Sequence, residues 1–224
     1  YNILEQSNII QSPFLGNAEA KLDWISKKTW VFKNTFDLDL QDVQHEHVEI
    51  QFKDLDTYAE VYLNDSLLGK TNNAFRTWTF DIKKIVKPIQ NELKIVFQSA
   101  PVIADSLYRN LDAALPGDIR VTSRKPQYHF GWDFGPKYPG CGIMSTPTIQ
   151  FWNHIKLEDI AIQTRAIHHQ NADVDLCLTG MSDREETYQV VWTLDQLSFS
   201  QNINIPAGSF YIKLKNQIPN PKLW

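Results

Sequence analysis

Glu60-Val61-Tyr62-Leu63-Asn64-Asp65-Ser66-Leu67-Leu68-Gly69 is the stretch whose reading decides the fold. Large apolar residues alternate with polar ones over strand length, which buries one face of a pleated strand and leaves the other wet. Asn64-Asp65-Ser66 then interrupts the run with residues that tolerate tight turns, so the segment reads as a β-hairpin. The same alternation spreads outward on both sides: His47 to Phe52 and Trp30 to Phe36 before it, Arg76 to Ile82 and Glu92 to Phe97 after it, with a turn at Pro88 to Asn91. Aromatic residues make up 12% of the chain and are enriched in these runs, a β-rich signature.

Pro101 to Pro116 breaks the rhythm. Val102, Ile103, Leu107, Leu111 and Leu115 recur at three- and four-residue steps, which predicts a short helical excursion ending at Pro116-Gly117. Strand character returns at Thr148 to Trp152. Strands with one helical insertion over about 150 residues fit a jelly roll or another antiparallel sandwich. A second series follows at Ile155–Arg165, Ala172–Leu178, Thr187–Leu194 and Phe210–Leu214, separated by Asn171, by Gly180-Met181-Ser182-Asp183 and by Pro206-Ala207-Gly208. Four or five strands of this kind suggest an immunoglobulin-type sandwich, which takes about 100 residues and seven strands. The expectation is therefore an all-β chain: a jelly-roll β-sandwich over residues 1–153, its first strands missing, then an immunoglobulin-like β-sandwich over 154–224 that is incomplete at its end.

Charge and composition remove several function classes. Lys plus Arg total 22 against 26 for Asp plus Glu, giving a net charge of -4, and no Lys/Arg cluster is present. Nucleic acid is therefore not an expected partner, because phosphate neutralisation needs clustered cations. No window approaches 18 uninterrupted apolar residues, so no membrane span is expected. Cys141 and Cys177 are too few for a disulfide scaffold and lack zinc spacing. The Asn64-Asp65-Ser66 sequon is of a kind expected by chance in a chain this rich in Asn and Ser.

The densest chemistry lies in Arg124-Lys125-Pro126-Gln127-Tyr128-His129-Phe130-Gly131-Trp132-Asp133-Phe134-Gly135-Pro136, followed by Gly140-Cys141-Gly142-Ile143. So many aromatics in a Gly- and Pro-rich stretch cannot all be strand core. An indole next to a carboxylate suits a sugar site: the ring covers the C–H face of a pyranose, and an ionised Asp accepts hydroxyl protons in charge-assisted hydrogen bonds. Trp132 and Asp133 are adjacent and can reach one ring. The alternative is that Trp132 packs and Asp133 caps a turn.

These residues carry a resemblance. The segment Gln127 to Pro136 is similar to the loop of glycoside hydrolase family 2 β-mannosidases that reads Trp-Asp-Trp-Gly-Pro at its centre; Phe134 departs at the second Trp, and Met144 departs from the Trp of the following Gly-Ile-Trp. Upstream, Pro13-Phe14, Gly16, Glu19, Trp24 and Trp30, then Leu55 to Asn64 and Asn73-Ala74-Phe75-Arg76, match further motifs in the same order. The chain thus resembles the non-catalytic N-terminal region of that family. The resemblance implies a galactose-binding-domain-like jelly roll, an immunoglobulin-like domain and, in a longer parent, a (β/α)8 barrel that supplies both catalytic glutamates. It implies exo-acting, retaining hydrolysis of terminal β-D-mannosides by that parent, with Trp132 and Asp133 as substrate contacts, a β-mannoside or manno-oligosaccharide as ligand and no cofactor. It also implies a periplasmic or secreted location in bacteria and a lysosomal one in animals. Two alternatives remain open: a stand-alone carbohydrate-binding module, and a relative acting on β-galactosides or β-glucuronides.

No catalytic residue is expected within the chain. Retaining hydrolysis needs two carboxyl groups about 5–5.5 Å apart, and a barrel alone takes about 250 residues. Nor is a metal site expected: His45 and His47 alternate along one strand, but no third ligand is evident. His168-His169 reads as an inter-strand turn, Arg76 as either a carboxylate partner or a surface residue, and Arg124 and Lys125 as buttresses of the loop or contacts to a further domain.

Overall fold

The computed structural model describes residues 1–222. It divides into two compact units that meet between Phe151 and Trp152. The first contains strands β1 (Trp30–Phe36), β2 (His47–Phe52), β3 (Leu55–Asp56), β4 (Tyr58–Leu63), β5 (Ser66–Asn72), β6 (Trp78–Asp81), β7 (Asn91–Phe97), β8 (Gly142–Ile143) and β9 (Thr148–Trp152). They form a four-stranded sheet of order β1-β7-β4-β5, a three-stranded sheet of order β6-β2-β9 and the short ribbon β3-β8. The alternation read from sequence is the burial pattern observed: every second residue of β2, β4 and β7 is buried. Val48, Ile50 and Phe52 from one sheet meet Val61, Leu63, Ile95 and Phe97 from the other in a single apolar core. Full burial of each large side chain there contributes about 1.5–3 kcal/mol.

The predicted hairpin is present. Leu63 pairs with Ser66, so Asn64 and Asp65 alone make the turn, both at positive φ (47° and 63°), the conformation a two-residue hairpin needs. The helical excursion is also present, but it is shorter and faces differently from the expectation. Helix α3 (Ala100–Arg109) starts at Ser99, whose hydroxyl accepts from the Val102 amide at 3.2 Å, and it buries Ala100 and Ala104. Val102, Leu107, Leu111 and Leu115 stay largely exposed. Small side chains let this helix approach closely, and the leucine spacing does not mark its buried face.

Two helices lie ahead of the first strand, α1 (Asn2–Gln6) and α2 (Ala18–Ser26). Leu22 and Ile25 of α2 pack with Tyr1, Leu4, Trp30 and Tyr138 in a small cluster of their own. Pro13, Phe14 and Gly16 lie in the turns between these helices and Glu19 in α2, and alternation gives no hint of the helices.

Among the described residues, the second unit contains strands β10 (Ile155–Ile167), β11 (Asn171–Ser182), β12 (Glu186–Leu194), β13 (Leu197–Ile205) and β14 (Gly208–Pro219). They form a three-stranded sheet, β10-β11-β14, and a two-stranded one, β12-β13, around Leu176, Leu178, Ile205, Phe210 and Leu214. Strand β13 is missing from the sequence reading, because the Asp195-Gln196 turn carries neither Gly nor Pro. Gly180 to Ser182, read as a separator, belongs to β11. A Cβ at Gly180 would stand 2.2 Å from the Lys156 carbonyl oxygen and 2.6 Å from the Phe210 ring, so the glycine marks a close approach inside a strand. Among the described residues, no helix is long and apolar enough to cross a membrane.

Candidate functional site

The loop that carries Trp132 and Asp133 is built by local hydrogen bonding. A 3-10 turn over Gln127–Phe130 ends at Gly131, whose φ of 96° and ψ of 163° suit glycine almost alone. Trp132 N–H then donates to the Gly135 carbonyl at 3.1 Å, and Gly135 N–H donates back to the Trp132 carbonyl at 3.2 Å. This reciprocal pair closes Trp132-Asp133-Phe134-Gly135 into a small projecting tip. Trp132 is 59% exposed and Phe134 92%, and Asp133 is exposed as well. Neither Trp132 nor Asp133 is spent on the sandwich core.

Two concavities flank the tip, and Trp132 lines both. One, of about 920 Å³, has Asp133, Arg120, Lys137 and Glu19 around it. The other, of about 1000 Å³, is walled by aromatic and apolar groups that include Phe14, Tyr128, Trp132, Phe134 and Met144, with Asp56 and His129 among its polar residues. The two positions that depart from the family pattern, Phe134 and Met144, thus both stand on this rim, and both are strongly exposed. Tyr138, on the outgoing side of the loop, packs at 4.8 Å from the Tyr1 ring and donates its hydroxyl to the Pro13 carbonyl, so the N-terminal segment supports the same wall.

Beneath the loop lies a charge cluster whose pairing sequence reasoning missed. Asp56 is 3% exposed and Lys125 is fully buried, and they form an ion pair. Lys125 Nζ also donates to the Gly140 carbonyl at 2.6 Å, and the Thr57 hydroxyl donates to Asp56. Asp56 is moreover the β-ladder partner of Gly142. Both feet of the loop are therefore tied to this pair: Lys125 and His129 on the way in face the Asp56 carboxylate, while on the way out Gly140 accepts from Lys125 and Gly142 pairs with the Asp56 backbone. Burial by itself would raise the Asp56 carboxyl, but His129, the Lys125 ammonium and the Thr57 hydroxyl outweigh it and hold the carboxyl below the usual carboxylate range. Burial pushes the Lys125 ammonium down, against the pull of Asp56. The sequence reading offers Lys125 as a buttress of the loop, and Lys125 does stand at its foot, but nothing in the sequence points to Asp56 as its partner.

This chemistry does not suit a metal or an independent catalytic centre. The Asp56 oxygens are already occupied by an ammonium and a hydroxyl. The Cys141 thiol beside them is pushed up to about 11 by burial, which leaves it protonated near neutrality. A general acid needs a raised carboxyl pKa, and that of Asp56 is lowered.

The remaining sequence candidates are scattered. His45 lies outside β2, in the turn before it, with Nδ1 3.0 Å from the Asp42 carbonyl oxygen, so it does not alternate with His47 along a strand. Arg76 stacks its guanidinium 4.3 Å from the Trp78 ring centre. His168 occupies the β10–β11 turn, with Nε2 3.1 Å from Asp173.

Comparison with known proteins gives a consistent picture. A rat beta-mannosidase is 31% identical over 96% of this chain, which covers 26% of that protein. The crystal structure of a beta-D-mannosidase from Dictyoglomus thermophilum superposes with a TM-score of 0.93 at 28% identity, over 99% of this chain and 28% of the other. An exo-chitosanase from Amycolatopsis orientalis shares the fold, with a TM-score of 0.74 at 15% identity, over 100% of this chain and 25% of the other. The chain thus spans about a quarter of the length of the relatives it matches. Residues 1–145 match the family described as glycosyl hydrolase 2 galactose-binding domain-like, and the chain belongs to that family.

Proposed function

We propose that this chain is the non-catalytic, substrate-gripping portion of a β-mannosidase-type glycoside hydrolase, with Trp132 and Asp133 lent to the pocket for the terminal mannosyl unit. The observation that carries the reading is the projecting tip, in which an exposed indole and an exposed carboxylate are held side by side by two reciprocal backbone hydrogen bonds. The indole face covers the apolar face of a pyranose while Asp133 accepts hydroxyl protons. Bond cleavage is retaining, by two carboxyl groups supplied from a (β/α)8 barrel in the longer parent. The relatives named beta-mannosidase favour mannose as the glycone, and the coverage of about a quarter of their length supports a division of labour within a larger polypeptide.

The test uses the full polypeptide that contains this chain and 4-nitrophenyl β-D-mannoside. Asp133→Asn and Trp132→Ala are expected to lower kcat/KM, the former by about 10- to 150-fold, the equivalent of one lost charge-assisted hydrogen bond of about 1.5–3 kcal/mol. The 224-residue chain alone is expected to give no turnover. Wild-type kinetics in both variants, or turnover by the isolated chain that Asp133→Ala abolishes, would overturn the reading. The exposed aromatic rim of Tyr128, Trp132 and Phe134 favours one second reading, a free carbohydrate-binding module; it predicts that the isolated chain binds mannan.

A further inference from the structure

We infer that His129 is a further sugar-contacting residue, which presents Nε2 to the aromatic-walled cleft as a hydrogen-bond acceptor while Asp56 and Lys125 fix its ring. The inference rests on the reading of the Trp132–Asp133 tip as a sugar grip and adds a second polar contact in the other concavity that Trp132 lines.

The argument starts from the two edges of the imidazole. Nδ1 has no solvent exposure, lies 3.4 Å from Oδ2 of Asp56 and makes no hydrogen bond within strict geometry. The side chain is nevertheless 20% exposed and lines the cleft that Trp132 shares. The exposed part of the ring is therefore the edge away from Nδ1, where Nε2 sits. Asp56 is ion-paired with the fully buried Lys125, so it stands as an anion facing Nδ1. A lone pair aimed at that anion would be repelled, so the neutral ring carries its proton on Nδ1 and leaves the lone pair on Nε2. The same logic orients imidazoles in catalytic triads, where a buried carboxylate fixes the tautomer.

The ring is also fixed sideways. Tyr128 meets it edge-on with centroids 4.6 Å apart, and the 3-10 turn over 127–130 is anchored through Gln127, whose Nε2 donates to the Arg120 carbonyl at 3.1 Å. A fixed acceptor beside aromatic walls is the combination that recognises a polyol: the walls take the C–H surface and the acceptor takes an O–H proton. Asp133 lines the other concavity and His129 does not, so the two polar groups address different hydroxyls and His129 is not a duplicate of it.

Asn and Gln replacements separate the two nitrogens. His129→Asn puts its amide nitrogen where Nδ1 stands, keeping a donor for Asp56 but nothing at Nε2; His129→Gln places its amide near Nε2. In the full polypeptide acting on 4-nitrophenyl β-D-mannoside, His129→Asn is expected to keep the wild-type thermal midpoint and raise KM by about three- to tenfold, the loss of one neutral hydrogen bond. His129→Gln is expected to stay within about twofold of wild type on the same scale. A purely structural role predicts the reverse, rescue by Asn and not by Gln, and would overturn the inference. If His129→Asn unfolds, His129→Gln decides alone: a wild-type KM supports the contact and a KM raised tenfold overturns it. Asp133→Asn, measured in parallel, separates the two readings. A defect there with wild-type His129→Asn sinks the His129 contact only, whereas no defect in either sinks the grip itself.

Discussion

At the residue scale the decisive group is Lys125, an ammonium with no solvent exposure whose charge is answered by Asp56. Removing one partner of such a pair leaves a bare charge in a low dielectric, which costs about 3–5 kcal/mol, while removing both costs far less. Lys125→Met is therefore expected to destabilise the chain by that amount in urea unfolding, and Asp56→Asn/Lys125→Met by clearly less. A single variant no worse than the double would show that the pair is not coupled. The pH dependence has a definite sign. Because folding lowers the Asp56 carboxyl, its contribution is complete above the ordinary carboxylate range, near pH 4, and is lost as pH falls through the depressed value. The double variant lacks that acid slope. Asn64 illustrates the converse lesson about motifs. Its amide nitrogen donates to the Ile85 carbonyl and to Asn91 Oδ1, both at 3.0 Å, and its oxygen accepts from the Glu92 amide at 2.9 Å. The sequon residue is fully engaged in tying the hairpin turn to its neighbours.

At the scale of the element, the tip depends on how the chain leaves the 3-10 turn. Gly131 holds a backbone conformation in which a Cβ costs of order 1–3 kcal/mol. A Cβ there would still find ordinary room, 3.5 Å from Lys137 Cβ, so the penalty is conformational and not a clash. Gly131→Ala should lower the unfolding free energy by about that amount, and by moving Trp132 it should raise KM for the mannoside in the full polypeptide. An unchanged KM would mean that the tip is positioned from elsewhere. The strands were legible because their burial is one-sided: β2, β4 and β7 alternate residue by residue, and the Asn64-Asp65 turn announces itself. What stayed hidden lacks a period. The α2 helix buries a short face, α3 buries alanines while its Val102 and Leu107 stay exposed, and β13 follows a turn without Gly or Pro. At the site, Trp132 and Asp133 were legible as chemistry on a loop. Asp56 and His129 were not, and Lys125 reads as a buttress without its partner, because that pairing comes from a ladder register and a contact between residues 69 positions apart.

At the scale of the whole molecule, the two units have separate cores. The buried residues of the largest cluster lie between Val48 and Phe97, and those of the second unit's core cluster between Leu176 and Leu214. A unit of about 150 residues buries roughly 68–70% of its unfolded surface and one near 60 only about 60%, so the second core starts from the weaker position. Calorimetry is accordingly expected to resolve two transitions, the lower one belonging to the second unit. Leu176→Ala, which opens a cavity worth about 2–5 kcal/mol, should shift only the lower transition, and Phe52→Ala, worth about 3–5 kcal/mol, only the upper. The segment 1–152 produced alone, which keeps β9 beside β2, should retain the upper transition together with the Asp56–Lys125 anchor of the loop. A single transition that both substitutions move equally would instead mean that the grip borrows its stability from the second sandwich, and the loop could then not be studied apart from it.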